Sequence, residues 1–328
     1  MIANTRCLIS VTGSEINTRR SIISVLTGLL LTGSPLLYGY ETDQVTHRNQ
    51  NIKDSTEILN QQVNDVLEEL SRNWRGPRNE KRFVSKVYHK IGGHHWVDRL
   101  ERWAMNSAQV DKLEIPRHGS IYSKHPLIAT RVTKFFGVGP TIKVNNQLIG
   151  SDKIGHFISQ GKKFYLRWRK LGGEAQAAER SAYTERAIFG QITTGSYSNA
   201  DLVANYEGHR FYRSLFEDGI VPGKKSILFW NGERWQVQRP FDWADHVNAY
   251  WDEGLNFNHY DRFLYKHMLV RLRQFCPDYY ANPKLYYIED EQTLLEKYSF
   301  LQLRDTSEIR LPNLCESEAG ESPIRTVR

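Results

Sequence analysis

Four ionisable side chains in one stretch have the types and spacing to do chemistry: Asp152, His156, Glu185 and Asp201. Asp152 and His156 stand four apart, so a helix beginning near Ser151 puts them on one face. A carboxylate and an imidazole placed that way either share a metal ion or hydrogen-bond each other inside a core. Glu185 lies between Ala182 and Ile188-Phe189, in a segment with helical apolar spacing. A carboxyl near an apolar face is costly to ionise, and its raised pKa suits a general acid near neutral pH. The plain alternative is a solvent-facing Glu185 paired with Arg186 or Ser181. Asp201 follows Ser198 in a Ser-x-x-acid pattern, which reads as a helix cap more than as a second catalytic carboxylate. Two chemistries therefore compete. Glu185 as acid, with Asp201 as its candidate partner, needs no cofactor. Asp152, His156 and Glu185 together make a two-carboxylate, one-imidazole metal site.

Residues that hold a substrate are sought next to these. The hydroxyl-rich turn TTGSYSNADL carries Thr194, Ser196 and Ser198, and Asn205 follows one helical turn beyond Asp201. A second segment, WDEGLNFNHY, carries Trp251, Asn256 and Tyr260. Aromatic rings beside amides and acids suit a saccharide, which stacks one face and hydrogen-bonds along its rim. A helix end with Asn caps explains the same residues equally well.

The elements that must position these groups are mostly helices. Apolar spacing predicts helices at 55–72, 79–91, 95–106 and 126–135, then three in succession from 151, at 174–192 and from 198 to Gly219. Gly155 and Gly161 permit close helix packing. Alternation around Asn145-Asn146 predicts a small hairpin at 141–148, and KSILFWNGERWQVQ predicts another at 225–238 with a type I′ turn at Asn231-Gly232. Residues 241–263 are expected to start a helix, break at Gly254 and start another near His259. That second helix runs to 275, and a last apolar element covers 291–303. The expectation is a mainly α globular domain with one or two small β-hairpins.

The chain has 328 residues, 40% hydrophobic, with a net charge of +7. A basic surface favours anionic partners. No Lys/Arg run interleaved with aromatics reads as a nucleic-acid signature, so nucleic acid is not expected as a partner. Arg19-Arg20 precede an apolar run at 21–39, which reads as a secretory signal peptide, with a single membrane anchor as the alternative. Residues 40–315 then form one domain, residues 316–328 a polar disordered tail, and the protein is periplasmic or secreted. Membrane contact is expected only if the signal is uncleaved. Beyond the signal, Cys276 and Cys315 either pair in an oxidising compartment or stay as separate buried thiols.

No P-loop, GxGxxG, GxSxG or HExxH is found, which removes the common nucleotide, α/β-hydrolase and zincin readings. The Glu185 helix, the Thr- and Ser-rich turn and the next helix, residues 174–217, resemble lysozyme-like peptidoglycan hydrolases. The resemblance implies a lysozyme-like α+β arrangement, Glu185 as the acid that protonates the glycosidic oxygen, and Asp201 as the candidate second carboxylate. Its implied partner is peptidoglycan or another anionic envelope glycan. It leaves DKIGHF (152–157) unexplained. The expectation is thus an exported cell-wall glycan hydrolase. The alternatives are a metal-dependent hydrolase and a non-catalytic envelope protein whose polar residues satisfy one another.

Overall fold

A computed structural model describes residues 41–93, 97–124, 137–186 and 195–320. Asn199–Ser214 (α7) is the central helix, and its side chains are buried except at Arg210 and Arg213. A helix buried on all sides must be wrapped by others. Across it runs the segment 152–171, in three pieces: Asp152–Gly155 (α4), a π-helical turn at His156–Gln160, and Gly161–Leu171 (α5). The crossing is close because it is built on glycines. A Cβ on Gly208 would lie 1.9 Å from the carbonyl oxygen of Phe157, and one on Gly161 would lie 2.6 Å from Gly208 Cα. Phe157 stacks on Phe211 with centroids 5.3 Å apart and meets Trp243 at 4.6 Å, which fills the crossing with rings.

Around this crossing pack Thr56–Arg72 (α1), Glu80–Ile91 (α2), Arg99–Asn106 (α3) and Glu174–Thr184 (α6). The first two helices match the expected ranges. The third begins only at Arg99, with Asp98 as its N-cap, rather than at 95; the expected helix at 126–135 and the part of the 174–192 helix beyond 186 lie outside the described residues. Arg262–Arg273 (α8), Cys276–Ala281 (α9), Glu291–Tyr298 (α10) and Leu311–Gly320 (α11) complete the helices. The fold is mainly α with small β elements.

Those β elements are short. Glu41–Thr42 (β1) pairs in parallel with Val138–Gly139 (β3). Lys112–Leu113 (β2), Thr141–Val144 (β4) and Gln147–Gly150 (β5) form an antiparallel sheet of three, with Asn145 and Asn146 both at positive φ in the hairpin turn, as the Asn pair predicts. Ser196–Tyr197 (β6) pairs antiparallel with His259–Tyr260 (β9).

Three expectations are corrected. Leu228–Trp230 (β7) and Trp235–Val237 (β8) do form the second hairpin, but Trp230 pairs with Trp235, which leaves four residues in the loop. Only Gly232 takes positive φ there, and the Asn231 side chain accepts from the backbone N–H groups of Glu233 and Arg234, so an Asx turn replaces the type I′ turn. Residues 241–261 hold two single 3₁₀ turns, Trp243–Asp245 and Ala249–Trp251, in place of a helix. Asp242 and Asn248 cap those turns with their side chains, and such local bonds compete with a longer helix. The tail from 316 begins inside α11, which is held by a disulfide between Cys276 and Cys315.

Candidate functional site

The site forms where α4 and the π turn cross the first turn of α7. Lys153 is 1% exposed, and its ammonium lies 2.8 Å from Asp152 Oδ2, 2.7 Å from Asp201 Oδ1 and 2.7 Å from Glu253 Oε1. The Asp201 contact is an ion pair, too poorly aligned for a hydrogen bond, so Asp201 Oδ1 has no hydrogen-bond partner. Burial alone would lower the Lys153 pKa. Asp152, Asp201 and Glu253 reverse that and hold it well above its ordinary value. Lysine thus stays charged in the core.

Each aspartate gives one oxygen to Lys153 and keeps the other. Asp201 Oδ2 lies 3.2 Å from His156 Nε2, and Asp152 Oδ1 is buried with no partner. Gly150 makes room for that oxygen, since a Cβ there would stand 2.3 Å from it. His156 Nδ1 lies 3.1 Å from Asn205 Oδ1, and Asn205 donates from Nδ2 to Ser181 Oγ at 3.3 Å. With the amide so oriented, Nδ1 carries the proton and donates to Asn205. Nε2 of a neutral ring then points its lone pair at a carboxylate oxygen. Two lone pairs face to face are satisfied by a proton or by a cation between them. Ligand atoms of Asp152, His156 and Asp201 all lie within 4.8 Å of one another. Two ligands on opposite sides of an octahedral ion stand about 4.2 Å apart, so small side-chain rotations suffice. The π turn begins at His156, and such turns recur where a helix must re-aim a side chain.

More acids surround this core. Glu185 caps the end of α6, is 5% exposed, and accepts from the Ser198 N–H at 3.4 Å. Burial, then Asp201, raise its pKa well above the ordinary carboxylate range. Glu41 is pushed up to about 8 by burial and by Glu253 and Asp201. Burial, then Asp152 and Asp98, raise Glu101 strongly, and burial holds Asp98 at about 6 against the Ser159 hydroxyl that donates to it. One ammonium and one imidazole therefore sit among many carboxylates, and burial and mutual repulsion raise the pKa of Glu41, Glu101 and Glu185.

No protein-family model, curated protein or solved structure matches this chain.

The remaining candidates fall in different places. Ser198 is the N-cap of α7: its Oγ accepts from the Asp201 N–H and donates to Glu253 at 2.9 Å. Asp201 therefore stands in a cap as the Ser-x-x-acid pattern predicts, but its carboxylate turns to Lys153 and His156 rather than back to the cap backbone. Ser196 Oγ donates to Glu41 at 3.3 Å, at the edge of the acid cluster. Tyr260, 4% exposed, faces the same acids, with burial and then Glu253 and Glu41 raising its pKa. Trp251 is fully buried against Phe157, and Asn256 spends its amide on the Tyr250 carbonyl and Asn199. Both serve as interior packing and local bonding in this conformation. Thr194 lies outside the described residues.

Lys153, Glu41 and Glu101 are not singled out by sequence, and Glu253 enters only as one of the acids of WDEGLNFNHY. Lys153 alone carried a usable signal. It shares the buried stripe of Ile154, Phe157 and Ile158, and a lysine on an apolar stripe needs acids around it. The three others come from distant segments, and no local pattern joins them.

Proposed function

We propose that Asp152, His156 and Asp201 hold a divalent cation and that the chain is a metal-dependent hydrolase, with Glu185 as its acid–base group. The supporting observation is the facing of His156 Nε2 and Asp201 Oδ2 beside the unpartnered Asp152 Oδ1, with Asn205 on the other imidazole nitrogen. A second shell of this kind orients a histidine for metal ligation. Two carboxylates and one imidazole suit Mn²⁺, Fe²⁺ or Zn²⁺ better than Ca²⁺ or Cu⁺. Lys153 fixes the two aspartates by their other oxygens and offsets part of their repulsion. Glu185, whose pKa burial and Asp201 raise, supplies a proton to a leaving group, and in this reading stands beside the ligands rather than among them.

The test is calorimetric titration of the chelator-treated chain with Mn²⁺ and Zn²⁺. One ion per chain is expected, with a higher Tm and at least about a hundredfold weaker binding in His156→Ala and Asp201→Asn. No uptake of either ion by the wild type sinks the reading.

A second reading keeps the buried Glu185, with its raised pKa, as its centre: an exported glycan hydrolase acting on peptidoglycan without a cofactor. It expects loss of turbidity of purified peptidoglycan that persists in chelator and is abolished by Glu185→Gln. Lysis that stops in chelator returns the weight to the metal reading.

A further inference from the structure

The helical hairpin of α5 and α6 carries a surface that neither reading uses. Residues 161–186 hold seven basic and three acidic side chains. Of the acids, Glu174 is paired with Arg213 and Glu185 is buried, which leaves Glu179 on the surface. The outer face of α5 exposes Arg169 and Lys170, and that of α6 exposes Arg180, with Arg186 just beyond its end. The two faces are one surface. Arg167 reaches from α5 to Thr184 Oγ1 on α6 at 3.0 Å, and burial together with the nearby Arg180 lowers its pKa. Like charges gathered this way repel each other, and Arg167 and Arg169 donate to the hydroxyls of Thr184 and Tyr165.

Three large apolar side chains stand among these cations: Leu166 and Leu171, 40% and 44% exposed, and Tyr183, 59% exposed. Scattered apolar residues on a surface need no explanation. Leu166 lies between Arg169 and Lys170 on the exposed side of α5, Leu171 stands at its end, and Tyr183 is exposed on α6; apolar side chains set among cations in this way make the pattern of a segment that rests on a lipid headgroup layer. The cations meet lipid phosphates, and the leucines and the tyrosine enter the boundary of the acyl chains.

We infer that the exposed face of α5 and α6 docks on an anionic lipid surface. Charge complementarity selects the occupant: the basic side chains need anions, and the apolar ones need a phase that accepts them. A soluble polyanion would satisfy the first requirement alone.

Co-flotation of the full chain with vesicles tests this. Vesicles of phosphatidylcholine alone are compared with vesicles also containing phosphatidylglycerol. The readout is the ratio between the two, so that any contribution common to both vesicles cancels. The anionic vesicles should bind at least roughly tenfold more chain at low salt, with the ratio falling as salt rises. Arg169→Glu with Lys170→Glu should bring the ratio close to one. Arg102→Glu with Arg234→Glu, the same change of net charge on exposed residues elsewhere, should leave most of it. Leu166→Ser with Leu171→Ser should lower binding to the anionic vesicles several-fold. Circular dichroism checks that each variant is folded. A wild-type ratio near one, or equal losses in the two charge-reversed pairs, overturns the inference. So does tight binding of soluble polyphosphate with no preference for anionic vesicles.

Discussion

Lys153 sets the balance of the site. Its ammonium is the shared partner of Asp152, Asp201 and Glu253, and removing one side of a buried ion network leaves the other side uncompensated. Lys153→Met should therefore cost about 3–5 kcal/mol of stability at pH 7. Urea unfolding at that pH measures the loss. An unchanged midpoint at pH 7 would mean that the lysine does not hold these acids. Glu41 gives a second prediction with a definite sign. Its pKa is raised from 4.5 to about 8 in the folded chain, so the folded state holds the proton more tightly. Its contribution is fully present below about pH 4.5 and is lost as pH rises towards about 8. Glu41 keeps partial surface exposure, so the slope stays below the limit of about 1.4 kcal/mol per pH unit. Glu41→Gln should flatten the Tm profile across that window and be the more stable form at pH 9. A wild-type slope that survives the substitution assigns the effect to other acids, such as Glu185.

At the scale of elements, the site depends on how closely the segment 152–171 approaches α7. The Cβ of alanine at 208 would sit 1.9 Å from the Phe157 carbonyl oxygen, a backbone atom in a buried helix that cannot swing aside. Gly208→Ala should cost about 3 kcal/mol and shift His156 away from Asp201. Gly155→Ala offers a contrast, since the nearest atom to the added Cβ is Glu101 Oε2, the end of a side chain that can rotate. It should cost less, and thermal melts of the two variants decide the order. This crossing was half legible in the sequence. The glycine at 161 and the apolar stripe around Phe157 and Phe164 predict close packing, and the expected helices from 55 to 91 and from 198 are where the spacing puts them. What spacing could not give is the register between helices. Asp201 reads as a cap because Ser198 is three residues before it, and only the π turn brings His156 against the acid's side chain. Segment 241–261 failed for the opposite reason. Its apolar spacing is helical, yet Asp242 and Asn248 are extended N-caps that each open one turn, and the extended backbone at Asn248 interrupts what would be a single helix.

Over the whole molecule, sequence reading reaches the class of the fold, mainly α with small hairpins, and part of the site. Asp152, His156 and Asp201 converge, with Glu185 packed beside Asp201. The other acids escaped because β1, α3 and the 3₁₀ segment reach the site only through tertiary packing, as the buried Arg48–Asp252 pair also shows by joining residues 204 apart in sequence. The disulfide joins another such distance. Cys276 begins α9 and Cys315 lies within α11, and the bond closes a separation of 39 residues around a second core cluster that contains Tyr279, Tyr286 and Leu311. Closing a loop of that size in the unfolded chain is worth about 4 kcal/mol by chain entropy. Cys315→Ser should lower stability by that order, and protease sensitivity should appear first around α11. Both thiols are buried, so mild reductant should leave the folded wild type intact and reduce it only after denaturant opens the cluster. Rapid reduction of the native chain, with no change in melting temperature, would show that α11 is held by packing alone. The test also bears on compartment, since a bond that stabilises this much is retained where thiols are oxidised.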